Sequence, residues 1–564
     1  MPQPEPPQRS LWLPWSSSSS LGAGSVRELS MGGSSTNMAQ ARASTPRASA
    51  TVAAWTLVSR VTGLGRVIVI GAVLGPTFLA NTFVATNTVP SLVFLAIAGT
   101  VLTSVVLPAI VRTTQTNGDR GAADLLGRLA GFLLLVTGAA VVPVLLGAPW
   151  IARLLTFGIA DAAVRARFEH IAVVMLLVVA PQLMFYVIAS LGAAAQQARG
   201  HFALAAAAPA VENVGVMATV ACVGTIYAGR VETPDAAVDL AIVLSLGATL
   251  SVALHMALQL FGAARVGLPI RPRLRHASDP LTRDVTQRIR RSFVIAASPQ
   301  IAYFGLLAVA GTVPGGVLLL QMAYSVYTLP WALGARAVSV AVLPGLSDAA
   351  HRSDHPAFVN KMREGVAYVF TACLPALLLM VVFASPIADV LANGRLRVGD
   401  LIQTLAACII VLAVAQLAAG LYEVGRQGLF ARLDVRGPRI AALVGLGATL
   451  TMAVCILLAL SGTDRLIGLA VAVLINDALT SATVFLLLRR AVLPDGLADG
   501  RRLGAAVLAT AVMLPVVAGG RLLDDVLHTN RIGSVGIVGL TATLALGLFA
   551  LTLHAVGRRG WMRT

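Results

Sequence analysis

Lysine is nearly absent from this chain: of 42 Lys and Arg residues among 564, only Lys361 is a lysine. It lies in Asn360-Lys361-Met362, so the phosphate-cradling pattern G-x-x-x-x-G-K-[ST] cannot occur anywhere. Cysteine is almost as scarce. Cys222, Cys373, Cys408 and Cys455 all fall within apolar runs, and with no C-x-x-C pair and no H-E-x-x-H segment the sequence offers no ligand set for a metal. Charged residues make up 12% and aromatics 5%. These absences exclude an ATP-driven pump, a metalloenzyme and a disulfide scaffold. No enzymatic activity and no cofactor are expected, because after residue 50 no stretch is polar enough to build a soluble catalytic domain.

What the chain has instead is apolar sequence. It is 57% hydrophobic, and its mean hydropathy is +0.83. A membrane-spanning helix needs about 20 mostly apolar residues, and such runs recur from residue 51 to the end with only short polar gaps. The reading is an all-α integral membrane protein of about fourteen transmembrane helices. The second is expected over 77–112 and the third over 122–148. The net charge of +17 is not gathered into a basic, aromatic-studded surface, which excludes nucleic acid as a partner. It sits in alternate loops. The loop from Arg265 to Arg291 holds eight arginines, whereas Thr312 to Gly316 and Ser461 to Arg465 are short and weakly charged. By the positive-inside rule this places both termini in the cytoplasm of a multi-pass plasma-membrane protein.

The two halves echo one another. Thr88-Val89-Pro90 and Val106-Leu107-Pro108 are matched, in order and at nearly the same offset, by Thr328-Leu329-Pro330 and Val342-Leu343-Pro344. Ala198-Arg199-Gly200 with Pro209 is matched by Ala431-Arg432 with Gly437-Pro438. Six helices per half make such a repeat parallel, with a cavity between the halves that opens to either side in turn. The expected division is a disordered tail over 1–50, a six-helix lobe over 51–264, a basic cytoplasmic linker over 265–288, a second six-helix lobe over 289–490, and two further helices over 491–564.

Within the spans the polar residues stand out. An arginine at the centre of a spanning helix costs about 2.5–3.5 kcal/mol. The first span carries two, Arg60 and Arg66. Its eleven Leu, Ile and Val residues between Val52 and Leu74 return only about 0.3–0.6 kcal/mol each. Facing lipid, the helix would have little margin, so both arginines are expected to face protein or a water-filled cavity. They lie about 120° apart and roughly 9 Å along the axis, able to flank one bulky anion. Further candidates for substrate contact are Asn81, Asn87, Glu212 and Arg336. Asn213, His255, Glu423, Asn476 and Asp477 are also intramembrane polar residues, for which hydrogen bonds between helices are the simpler role.

Ser59-Arg60-Val61-Thr62-Gly63-Leu64-Gly65-Arg66, then Gly75, Asn81, Val89-Pro90 and Leu107-Pro108, resemble the opening hairpin of the MviN/MurJ lipid II flippases. Leu343-Pro344-Gly345-Leu346-Ser347 and Gly428-Leu429-Phe430-Ala431-Arg432-Leu433-Asp434 resemble later motifs of that family. The resemblance implies two six-helix lobes around a cationic cavity, two C-terminal helices offering a groove to a lipid tail, and a lipid-linked saccharide as substrate. It assigns pyrophosphate binding to Arg60 and Arg66, and it suggests membrane lipid and cell-wall synthesis proteins as partners. Energy would come from the membrane potential or a monovalent cation. Four positions depart from the family pattern: Asn81 and Val67 stand where it has acids, Phe94 and Ser325 where it has basic residues. A flippase for another polyprenyl-linked saccharide and a cation-coupled multidrug exporter are the competing readings. A non-transporting scaffold is a third.

Overall fold

The computed structural model describes residues 34–99, 106–227, 238–273, 280–492, 496, 499–527 and 530–560, and every regular element among them is helical. Fourteen of these helices are long and apolar enough to cross a membrane. In order, the first six are Ala54–Leu74, Phe78–Ile97, Leu107–Leu146, Ala162–Ala198, Ala203–Ile226 and Val238–Arg265. The next six are Thr286–Ala310, Gly316–His351, His355–Val382, Gly399–Ala431, Arg436–Ala459 and Asp464–Arg489, and Gly500–Leu527 and Arg531–Val556 close the series. From Thr51 onward the chain forms one compact unit. Large apolar side chains such as Leu458, Ile532 and Leu250 remain exposed along it, which suits a hydrocarbon surround.

Three local readings change. The helix expected over 77–112 ends at Ile97, and a new one starts at Leu107, where Pro108 occupies a first-turn position that needs no N–H donor. That helix runs to Leu146 across a break at Gly118, whose φ of 66° and ψ of −170° are open to glycine. The helix carrying the first span reaches back to Ser34, into the segment assigned to a disordered tail, through the helix-favouring run of Ala and Arg from Ala39 to Ala43. The earlier part of that tail lies outside the described residues, as does the stretch 274–279 of the basic linker. The seventh helix begins at Pro280, inside the linker, again with proline in the first turn.

Packing groups the helices by sequence half. The fifth and sixth spans pack on each other and on the second part of the fourth; the tenth, eleventh and twelfth pack together, with the eighth and ninth against the tenth. The second span crosses between the groups, touching the seventh and eighth. Where the fourth and sixth spans cross, Gly192 is so close to its neighbour that an added Cβ would sit 2.7 Å from the Gln259 carbonyl oxygen. Gln196 Nε2 donates to Gln259 Oε1 at 2.7 Å beside it. Gly192→Val is therefore expected to push these helices apart and cost about 1–3 kcal/mol, read as a lowered thermal midpoint of the detergent-solubilised protein by size-exclusion recovery.

The face opposite the basic loops is shut. Asn81, buried on the second span, donates from Nδ2 to Val313 O at 2.7 Å and accepts from Val317 N at 3.0 Å, clasping the turn that joins the seventh and eighth spans. Gly315, at φ 72°, approaches Pro76 so closely that a Cβ would lie 2.6 Å from its Cα. Gly394, at φ 57°, meets Ala72 in the same way, 2.6 Å from its carbonyl oxygen. The far end of the first span is thus held by turns from the second half of the chain.

Candidate functional site

Between the first, fifth and eighth spans lies a cavity of about 500 Å³. Arg60, Gly63 and Arg66 form one wall, Pro209 and Asn213 a second, and Gln321, Ser325 and Thr328 a third. Asn213 joins two of the walls, since its Nδ2 donates to Ser59 O at 3.2 Å and to Thr62 Oγ1 at 3.3 Å. The glycines of the first span permit this approach: a Cβ on Gly63 would touch Asn213 Nδ2 at 3.5 Å, and one on Gly65 would touch Met217 Sδ at 3.5 Å. Through Pro330 the eighth span loosens into a π turn, Trp331–Ala335, and Arg336 follows with its guanidinium 5.7 Å from the Trp331 ring centroid.

Both arginines of the first span lie in the cavity, as their cost in lipid requires. Among the described residues neither has a carboxylate partner, and the buried Nε of Arg66 has no hydrogen-bond acceptor. Arg66 shares the cavity lining with Asn213 of the first half and with Gln321 and Ser325 of the second, so it stands between the two halves. Arg336 lies outside the cavity lining. Two arginines thus line the cavity, and no carboxylate lines it with them. Such a site is built for an anionic ligand, which would supply the missing acceptors through charge-assisted hydrogen bonds.

The other sequence candidates are placed elsewhere. Asn81 belongs to the closed face. Asn87 accepts from Gln182 Nε2 at 3.1 Å, and the same Nε2 reaches Thr249 Oγ1 at 3.0 Å, forming a polar link among the second, fourth and sixth spans. Glu212 is turned into its own half: its Oε1 accepts from Tyr186 OH at 3.1 Å, and its Oε2 lies 2.8 Å from His255 Nδ1. The neighbouring Asn213 faces the cavity instead. In the second half, Tyr327 OH donates to Asp477 Oδ2 at 2.7 Å and Asn476 Nδ2 to Asp477 Oδ1 at 2.9 Å. These residues, with Glu423 and Arg426, line a second cavity of about 330 Å³. Of the departures from the family pattern, Val67 and Ser325 line the first cavity and Phe94 stacks near Tyr186, with ring centroids 5.8 Å apart. Sequence reasoning missed Thr56 and Gln321. The spacing of Gln321, Ser325 and Thr328 at i, i+4 and i+7 was the available sign of a polar helix face.

Residues 70–528 match the family model described as "Lipid II flippase MurJ". A probable lipid II flippase MurJ of Rhizobium tropici is 22% identical over 524 residues, covering 90% of this chain and 93% of the relative. The lipid II flippase MurJ of Burkholderia cenocepacia is 22% identical, covering 79% and 84%. Among solved structures, a lipid II flippase MurJ in an inward closed conformation superposes with a TM-score of 0.65 at 16% identity, over 89% of this chain and 99% of that one. An inward-facing multidrug resistance MATE family transporter of the MOP superfamily superposes with a TM-score of 0.53 at 15% identity, over 78% and 94%.

Proposed function

Since the chain belongs to the lipid II flippase MurJ family, we propose that it carries lipid II, a polyprenyl-pyrophosphate-linked peptidoglycan precursor, from the cytoplasmic to the outer leaflet of the plasma membrane by alternating access. The observation that carries this reading is the cavity holding Arg60 and Arg66 without an anionic partner. A pyrophosphate matches that cavity in charge. The basic loops face the cytoplasm and both termini lie there; the face clasped by Asn81 is the outer one. Each transition then breaks one set of contacts between the halves and makes another. An anion moving outward gains about 2.3 kcal/mol per charge per 100 mV of inside-negative potential, so the membrane potential can drive the headgroup step. A monovalent cation in the second half, near Asp477, is the alternative source of coupling.

A multidrug exporter of cationic compounds is disfavoured by the same arginines, which would repel such cargo. A flippase for another polyprenyl-linked saccharide is favoured by one observation, the neutral wall of Gln321, Ser325 and Thr328. Complementation separates the two. A bacterium depleted of its resident lipid II flippase and expressing this chain is expected to survive and to expose lipid II on its outer leaflet. Death despite good membrane expression would reject lipid II as cargo.

A further inference from the structure

The cavity is polarised across its width, and its two sides ask for opposite things. Arg60 and Arg66 offer only N–H donors. On the eighth span, the Ser325 hydroxyl spends its single proton on Gln321 O at 2.7 Å, and the Thr328 hydroxyl spends its own on Ser325 O at 3.1 Å. What both hydroxyls still present is lone pairs. Gln321, half-buried on the same face, has no hydrogen bond to its side-chain amide among the described residues, so it keeps one acceptor and two donor hydrogens. Asn213 spends its Nδ2 on the first span and keeps its Oδ1. The flanking residues Met322, Ala323, Val326 and Tyr327 are buried, so the polar row is the one face of this helix turned to the cavity.

A phosphate set against the eighth span would bring its oxygens against the hydroxyl lone pairs. A group rich in O–H and N–H would find acceptors there. We infer that Gln321, Ser325 and Thr328 form a saccharide subsite, taking the hydroxyl- and amide-bearing part of the headgroup while the first span takes the pyrophosphate. This assignment rests on the pyrophosphate reading of Arg60 and Arg66. It makes the eighth-span row, not the arginines, the part of the site that tells one lipid-linked sugar from another, because hydrogen bonds to uncharged groups discriminate by position while the phosphates are common to all such lipids.

The test compares two probes on the purified full chain in lipid nanodiscs: lipid II, and a polyprenyl pyrophosphate without sugar. Gln321→Met with Ser325→Ala changes side-chain volume little, and folding is checked by size-exclusion profile. The wild type is expected to bind lipid II more tightly than the bare pyrophosphate. Losing two or three neutral hydrogen bonds should weaken lipid II binding about tenfold and leave the bare pyrophosphate unchanged. Equal loss for both probes, or no loss for lipid II, would overturn the subsite. The single variant Ser325→Ala is the fallback should the double variant fail to fold, with a two- to threefold loss expected, again confined to lipid II. Failure of the underlying reading looks different: alanine at Arg60 and Arg66 would then leave the affinity for both probes unaltered.

Discussion

With Arg60 and Arg66 both replaced by alanine, the protein is expected to reach the membrane at its normal level and to move no substrate. A hydrogen bond to a charged group contributes about 1.5–3 kcal/mol, so losing even two such contacts weakens headgroup binding by two to four orders of magnitude. Each single alanine should cost roughly ten- to a hundredfold. Arg66→Lys should recover only part of the loss, since an ammonium keeps the charge but not the planar fork that grips two oxygens at once. Stability is expected to move the other way. Because neither arginine has a carboxylate partner among the described residues, its removal breaks no ion pair there, and it relieves a helix of a group that insertion scales place at about 2.5–3.5 kcal/mol. Transport measured in reconstituted vesicles, beside the thermal midpoint of the same preparations, reads both effects. A double variant that folds and transports normally would remove the pyrophosphate from this site.

The second large effect is expected at Asn81. Its buried amide satisfies the carbonyl of Val313 and the N–H of Val317 across the closed face. Asn81→Leu keeps the bulk and leaves the Val317 N–H unpaired, while Val313 O keeps its bond from Gly316 N, at a cost of about 1–3 kcal/mol. The penalty falls on the closed conformation, where the second span and the turn after the seventh meet. At about 1.4 kcal/mol per decade, the closed-to-open ratio should drop about fivefold to about a hundredfold. The check is thiol labelling at Val313→Cys, a position buried in the closed form, in a background freed of the exposed Cys222 and Cys455. Labelling from outside should be slow in the parent and fast in the Asn81→Leu variant. Equal rates would show that the clasp does not hold the face shut.

The spans were legible because runs of about 20 apolar residues, punctuated by Gly, Pro and Arg, leave little freedom in where a membrane helix begins and ends. The break after Ile97 was not, since Ala96 to Leu107 is as apolar as the helices beside it. Nor were the short helices Ala148–Thr156 and Ala384–Leu391, which lie between the expected spans. At the site, cost alone pointed Arg60 and Arg66 inward, because a buried charge has few places to go. A buried amide has many. Asn81, Asn87 and Asn213 look alike in the sequence, yet the fold sends one to the closed face, one to a link within its own half and one to the cavity wall. Glu212 and His255 were each visible as isolated polar residues, and only the packing of the fifth and sixth spans makes them a pair. The polar row of Gln321, Ser325 and Thr328 was readable in its period but not in its direction.

The first span is gripped at one end by turns from the other half of the chain and sided by the fifth span at Gly63, Gly65 and Val73. Mechanically it is a lever with its fulcrum near Leu74. Arg66 lies about 12 Å from that fulcrum and Arg60 about 21 Å, at 1.5 Å of rise per residue. A tilt of about 10° would carry Arg66 through some 2 Å and Arg60 through nearly 4 Å, by the same helix geometry. The inner arginine would then keep its hold while the outer one sweeps across the mouth, so a small rotation at the sealed end becomes a large stroke where the headgroup enters.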